Sequence, residues 1–244
     1  MVCLALIFIC KPWAYSATEA GEVLAVKKNV YLIRDEQRSD AVPQMRLLLK
    51  DTVETDKKSR TKLFFTDDSI LNLGELSRVV VEEYIYSPEK KRSKSIYKLI
   101  DGSLKVVVGR SDLEIHTPTA VAAARGTKFI IWAEGRDDFT KSCAMVLEGE
   151  VLFKSINEDV SDTVTIGNGN MSCVPMGGPP GGIEPVPAAV SKRFTSNSVV
   201  VGTSTDNGTA SDVSQDSTGL MGVPPVALEP AGSLTNVTIE LVFP

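Results

Sequence analysis

Thr117-Pro118-Thr119-Ala120-Val121-Ala122-Ala123-Ala124-Arg125-Gly126-Thr127-Lys128-Phe129 is the stretch on which the reading of the fold turns. Pro118 fixes its own φ and has no amide proton, so the chain bends there or lies at a sheet edge. Ala120, Ala122, Ala123 and Ala124 let another backbone come close. Alanine is a good helix former, but the run is short and Gly126 follows, so it reads as a tightly packed strand or bend. Arg125 offers a fork of donors for carbonyls or a carboxylate. It could contact a ligand or partner, or brace a strand crossing from a partly buried position. Its small, packed neighbours favour the brace.

Outward from this stretch the pattern is short and extended. On its N-terminal side Leu113 and Ile115 alternate with Glu114 and His116, and Leu104, Val106 and Val108 alternate before them. Asp101-Gly102 reads as a turn. Further back, 79–81 with 84–86, 70–73, 62–65, 30–33 and 21–26 are strand-like, and Thr66-Asp67-Asp68-Ser69 is a turn between two of them. On the C-terminal side, 128–132, 144–147, 151–153 and Val164 with Ile166 continue the series, and Gly167-Asn168-Gly169 reads as a hairpin turn. Regular short strands separated by turns predict an all-β fold, a compact β-sandwich or β-roll with a solenoid-like variant. Gly-Glu-Val-Leu occurs at both 21–24 and 149–152, a short echo that could mark equivalent strand starts.

The ends differ from the middle. Residues 2–10 are continuously apolar but too few to span a bilayer, and Ala14-Tyr15-Ser16 offers a small-x-small cleavage pattern, so 1–16 reads as a signal peptide. The β domain is expected over 17–175. Pro175-Met176-Gly177-Gly178-Pro179-Pro180-Gly181-Gly182 suits neither a helix nor a central strand, and 195–222 is rich in Ser, Thr, Asn, Asp and Gly. Residues 176–233 are therefore expected to be a linker or flexible tail. Val237, Ile239 and Leu241 restore alternation in a terminal strand over 234–244. Cys3 and Cys10 leave with the leader; Cys143 and Cys173 remain and are expected to form a disulfide in an oxidising compartment.

The motif beginning at Thr117 resembles the signature of the FecR domain family, in which a Thr-Pro bend leads through small residues to Arg-Gly-Thr and an aromatic. Thr117, Pro118, Arg125, Gly126 and Thr127 carry that likeness. In order along the chain, Gly21-Glu22-Val23 resembles the family's opening strand. Leu49-Lys50-Asp51-Thr52-Val53-Glu54-Thr55 resembles its Leu-x-x-Gly-Asp-x-Ile-x-Thr element, one residue short and without the glycine. Thr66-Asp67-Asp68-Ser69 sits where the family has Asp-Gly-Ser. Asp101-Gly102-Ser103-Leu104 and Val146-Leu147-Glu148-Gly149-Glu150-Val151 fit its Gly-x-Val elements. The resemblance spans about 20–175 and implies a periplasmic β domain. Family members known as iron-signalling regulators also carry an anti-sigma segment and a membrane helix. Neither is evident in this sequence, so the domain fold transfers and the regulatory role does not follow from it.

Composition narrows the function. A net charge of −5 argues against nucleic acid, which needs many cations to replace phosphate counterions. No run after residue 16 is long and apolar enough for a transmembrane helix. His116 is the only histidine. It sits on an alternating strand, where a polar face residue is the simplest reading. With one histidine and two distant cysteines, no catalytic triad, zinc site or other cofactor is expected. The acidic pairs Asp67-Asp68, Asp137-Asp138 and Glu158-Asp159 fall at turns and read as solvated. Lys90, Lys91, Arg92 and Lys94 form the densest basic cluster, expected in a hairpin loop, as a surface contact or simply a solvated loop. The sequence thus predicts a non-enzymatic, periplasmic or secreted module that recognises an envelope protein or glycan. The alternatives are a structural or adhesive envelope protein, or a component of a sigma-factor or TonB-type system.

Overall fold

The computed structural model describes residues 18–87, 92–134 and 140–195. The leader and the terminal strand at 234–244 lie outside the described residues. Along the chain run β1 (Glu19–Lys27), β2 (Val30–Arg34), β3 (Gln37–Asp40), β4 (Arg46–Leu48), β5 (Thr52–Thr55), β6 (Arg60–Phe65), β7 (Ile70–Leu73), β8 (Arg78–Ser87) and β9 (Arg92–Val107). There follow β10 (Asp112–His116), β11 (Ala120–Ala124), β12 (Lys128–Glu134), β13 (Lys141–Glu148), β14 (Glu150–Ser155), β15 (Thr163–Gly167), β16 (Asn170–Pro175), β17 (Glu184–Pro185) and one helix, α1 (Ala188–Thr195).

The strands form two sheets. Sheet A has the order β4-β1-β6-β7-β9-β12-β13-β16-β17. Sheet B has the order β3-β2-β5-β8-β9-β10-β11-β14-β15. Neighbours are antiparallel except β9 and β10, which are parallel. The sheets face one another across one apolar core. Sheet A supplies Leu63, Phe65, Leu71, Leu104, Phe129 and Val146; sheet B supplies Val53, Val81, Leu99, Ile115, Phe153 and Ile166. The alternation in β6, β7 and β14 follows directly, since a strand with one buried face reads apolar at every second position.

β9 belongs to both sheets. Its first part pairs with β8 and β10, and from Gly102 onward it pairs with β12 and then β7. Asp101-Gly102 is therefore not a turn between strands. It is the point where one strand passes from sheet to sheet, as strands do at sandwich corners through bends or bulges. Gly102 has φ +83°, and a Cβ there would collide with Ser77 Oγ and the Leu76 carbonyl oxygen. Ser77 Oγ accepts from Ser103 N at 2.9 Å and closes the bend. Gly167-Asn168-Gly169 is likewise a turn but no hairpin: β15 pairs in sheet B and β16 in sheet A.

Ordered structure continues past Pro175, within the stretch read as linker. β17 pairs with β16, and α1 lies on the outer face of sheet A. There Phe194 packs on Trp132 at 4.8 Å between ring centroids, in a second apolar cluster with Ile130, Met145 and Met171. Cys143 and Cys173 face each other across β13 and β16 in the same cluster and are disulfide-bonded.

Candidate functional site

The motif beginning at Thr117 forms two connections. Thr117 N donates to the Ala120 carbonyl oxygen at 2.8 Å, and Thr117 Oγ1 accepts from Ala120 N at 2.9 Å, which closes a hairpin from β10 to β11 with Pro118 exposed at its tip. Thr119 Oγ1 donates to the Val174 carbonyl oxygen at 2.8 Å and ties this hairpin to sheet A. Arg125-Gly126-Thr127 then carries the chain from β11 in sheet B to β12 in sheet A. Gly126 supplies φ +59°. The brace is Thr127, buried at 1% exposure, whose Oγ1 lies 3.0 Å from the carbonyl oxygens of both Arg125 and Glu150. Arg125 is not the brace: its side chain is 81% exposed and, among the described residues, reaches Asp112 at 3.7 Å. The sequence located the crossing but assigned the work to the wrong residue.

Two further motif elements have local causes. Lys50 has φ +73°, and Leu47, three residues before it, is fully buried. Read from Leu47, the Leu-x-x-Gly-Asp element is full length, with Lys50 in the left-handed position where the family has glycine. Asp51 next to it is buried and accepts from Arg34 Nε at 2.8 Å and from Leu48 N at 2.7 Å. Asp68, in the glycine position of Asp-Gly-Ser, has φ +65°. Asp67 is not solvated, as a turn acid was expected to be, but fully buried. It accepts from Ser69 N at 3.0 Å, from Ser69 Oγ at 2.9 Å and from Ser111 Oγ, and its amide donates to Tyr84 Oη at 2.9 Å. Burial, with the Asp67 charge adding to it, pushes the Tyr97 hydroxyl well above the usual tyrosine range. This network locks a turn of sheet A to β8 and to the segment after β9. The echo at Gly21 and Gly149 marks no equivalence: Gly21 lies inside β1 against the Phe64 carbonyl, whereas Gly149 makes a turn with φ +88°.

The open surface lies on the outer face of sheet B. β10 turns Glu114 and His116 outward, β11 turns Val121 and Ala123 outward, and β14 contributes Leu152 and Lys154. Ala123 stands opposite Glu114 on one side and Leu152 on the other. A methyl group between longer side chains leaves a groove. Its two ends are lined by Asp112, Arg125 and Thr165, and by His116, Lys154 and Ile156. A shallower depression beside His116 reaches Ile96, Tyr84 and Ile85. Leu152 and Ile85 are 53% and 51% exposed there.

Charge is organised around Glu114. Its Oε2 is 3.0 Å from His116 Nε2 and its Oε1 is 3.6 Å from Lys94 Nζ. Burial pushes the Glu114 carboxyl up, but the His116 hydrogen bond and the Lys94 charge outweigh it, so the group titrates below the ordinary glutamate range. His116 is half-buried on its strand and hydrogen-bonds Glu114. Of the basic cluster, Lys90 and Lys91 lie outside the described residues. Arg92 opens β9 and Lys94 pairs in it opposite Asp112, so both belong to a strand rather than to a loop. Among the described residues, no cluster of His, Cys, Asp and Glu could hold a metal ion. The groove was not legible from sequence, because Glu114, Ala123 and Leu152 become neighbours only through strand pairing.

Residues 51–152 match the family model described as FecR protein. The match is shorter than the stretch of about 20–175 over which the motifs run. No curated protein matches the chain. Two crystal structures of a provisional anti-sigma factor from Parabacteroides distasonis align with TM-scores of 0.47 and 0.46, each at 11% identity. They cover 59% of this chain and 63% and 64% of theirs, so the chain spans just under two thirds of that protein's length. The match runs from Asp51, beside β5, to Leu152 in β14, and over those residues the chain is similar to the FecR family.

Proposed function

We propose that this chain is a signalling component of the bacterial cell envelope that works by binding a protein partner on the outer face of sheet B, without bond-making chemistry. The groove floored by Ala123 carries this reading. It combines exposed apolar groups at Leu152 and Ile156 with the charged residues Lys94, Glu114 and Lys154 and the His116 imidazole, the mixture of anchors and orienting polar groups that protein recognition uses. Glu114 and His116 make a carboxylate–imidazole pair, and no serine, threonine or cysteine hydrogen-bonds that imidazole among the described residues. Such a pair orients a partner's polar groups rather than activating a nucleophile. The Cys143–Cys173 disulfide supports an oxidising compartment, hence the periplasm or the outside. Among the described residues no helix is long and apolar enough to cross a membrane. The FecR-type domain supports a regulatory rather than a purely structural task.

The test fills the groove without touching the core. Ala123→Arg places a long side chain on an outward position of β11. Pull-downs from envelope extract with the wild-type chain should recover one stoichiometric protein partner, and the variant should lose it while keeping its far-UV circular dichroism. Equal recovery by both proteins would refute the groove, and recovery of glycan alone would move the reading to wall binding.

A further inference from the structure

Among the described residues the two sheets end in four edge strands, and three are protected against pairing. β3 (Gln37-Arg38-Ser39-Asp40) is exposed throughout and charged, with Arg38 stacked over the Tyr31 ring at 3.7 Å. β4 is three residues long. β17 is two residues long and ends in Pro185. Short length, charge and proline are the usual devices that stop edge-to-edge association. The fourth edge has none of them. β15 is Thr163-Val164-Thr165-Ile166-Gly167, five residues without a charge or a proline, and among the described residues it pairs only with β14. Alternate backbone N–H and C=O groups therefore point away from the sheet with no strand to receive them.

We propose that β15 is a homodimer edge, pairing antiparallel with β15 of a second copy about a two-fold axis at Thr165. The sequence of the strand is self-complementary in the required sense. About that axis Thr165 faces Thr165, Val164 faces Ile166 and Thr163 faces Gly167. Opposed residues in an antiparallel pair point to the same face. Val164 and Ile166 both point into the core layer, and Thr163, Thr165 and Gly167 all point outward. The pairing thus keeps inside and outside in register across the junction and joins the two copies of sheet B into one sheet. An isologous contact of this kind closes on itself and leaves no further edge of the same sort exposed. The acidic residues Glu158, Asp159 and Asp162 precede the strand, so each set lies at the far end from its symmetry mate, with Asp162 opposite Asn168 of the other copy. The inference stands whether or not the groove over Ala123 binds a partner.

Five residues of edge pairing make a modest interface, so the dimer should be concentration-dependent. Sedimentation of the purified full chain should show a reversible monomer–dimer equilibrium. Thr165→Glu sets two carboxylates face to face on the axis and should raise the dissociation constant at least about tenfold, with the monomer's circular dichroism unchanged. Thr165→Cys should form a covalent dimer on mild oxidation, while Thr163→Cys, which faces Gly167, should not. A chain that stays monomeric at all concentrations overturns the proposal. So does a dimer indifferent to Thr165→Glu, or equal crosslinking at 163 and 165.

Discussion

The two outer faces of the sandwich meet water on different terms. On sheet A, β12, β13 and β16 turn Ile130, Trp132, Met145 and Met171 outward, and Phe194 and Val190 of α1 come down over them. On sheet B, β10, β11 and β14 turn out Glu114, His116, Ala123 and Lys154, and no described element covers them. The sequence of each strand foretells which face needs a cover. β12 reads Lys-Phe-Ile-Ile-Trp-Ala-Glu, apolar on both sides, as in a strand buried from two directions, whereas β10 reads Asp-Leu-Glu-Ile-His, apolar on one. A covered face contributes to stability; an uncovered one with a groove is available for contact. The difference explains why the one helix among the described residues sits where it does.

That contrast can be broken by experiment. If the cover on sheet A is structural, Trp132→Ala should destabilise by about 3–5 kcal/mol in denaturant titration, the usual range for removing a buried aromatic. A loss no larger than a surface substitution would mean that α1 is ornamental there. The disulfide lies in the same layer and closes a separation of 30 residues. Replacing Cys143 and Cys173 together by alanine should cost about 2–4 kcal/mol and lower the melting temperature, and reductant should then have no further effect. Equal melting of wild type with and without reductant would remove the bond from the account. The smallest effect belongs to sheet B. Because Glu114 titrates below its ordinary range, its contribution to stability is full above that range and is lost as pH falls through the folded-state midpoint. His116→Ala should move this midpoint upward, leaving burial opposed mainly by Lys94, as followed by carbon-13 NMR of the carboxyl. An unchanged midpoint would dissolve the pair as an electrostatic unit.

How much of this was legible in the sequence depends on how local each cause is. β6, β7 and β14 announce themselves because one buried face imposes a period of two. β3 and β17 give no such signal, the first being polar on both faces and the second two residues long. Asp101-Gly102 misleads because a positive φ serves a sheet-switching bend as well as a hairpin. Lys50 and Asp68 hide their motifs because they take a left-handed φ without being glycine, at positions where the family pattern has glycine. Asp67 looked solvated since nothing near it in sequence shows that Ser111 will reach it across 44 residues. α1 was missed because it follows a Pro/Gly-rich stretch, and its reason for forming is Trp132, far upstream. The groove belongs wholly to topology: three strands place their residues side by side, and no one of them carries the signal alone.

The strand shared by both layers has a mechanical consequence. In an ordinary sandwich two sheets can shear past one another with only side-chain friction to resist. Here a continuous covalent backbone is woven through both, pinned at Gly102 by the Ser77 hydroxyl. A pull applied to either layer is carried into the other along the main chain, so the two should yield together under load instead of peeling apart one after the other.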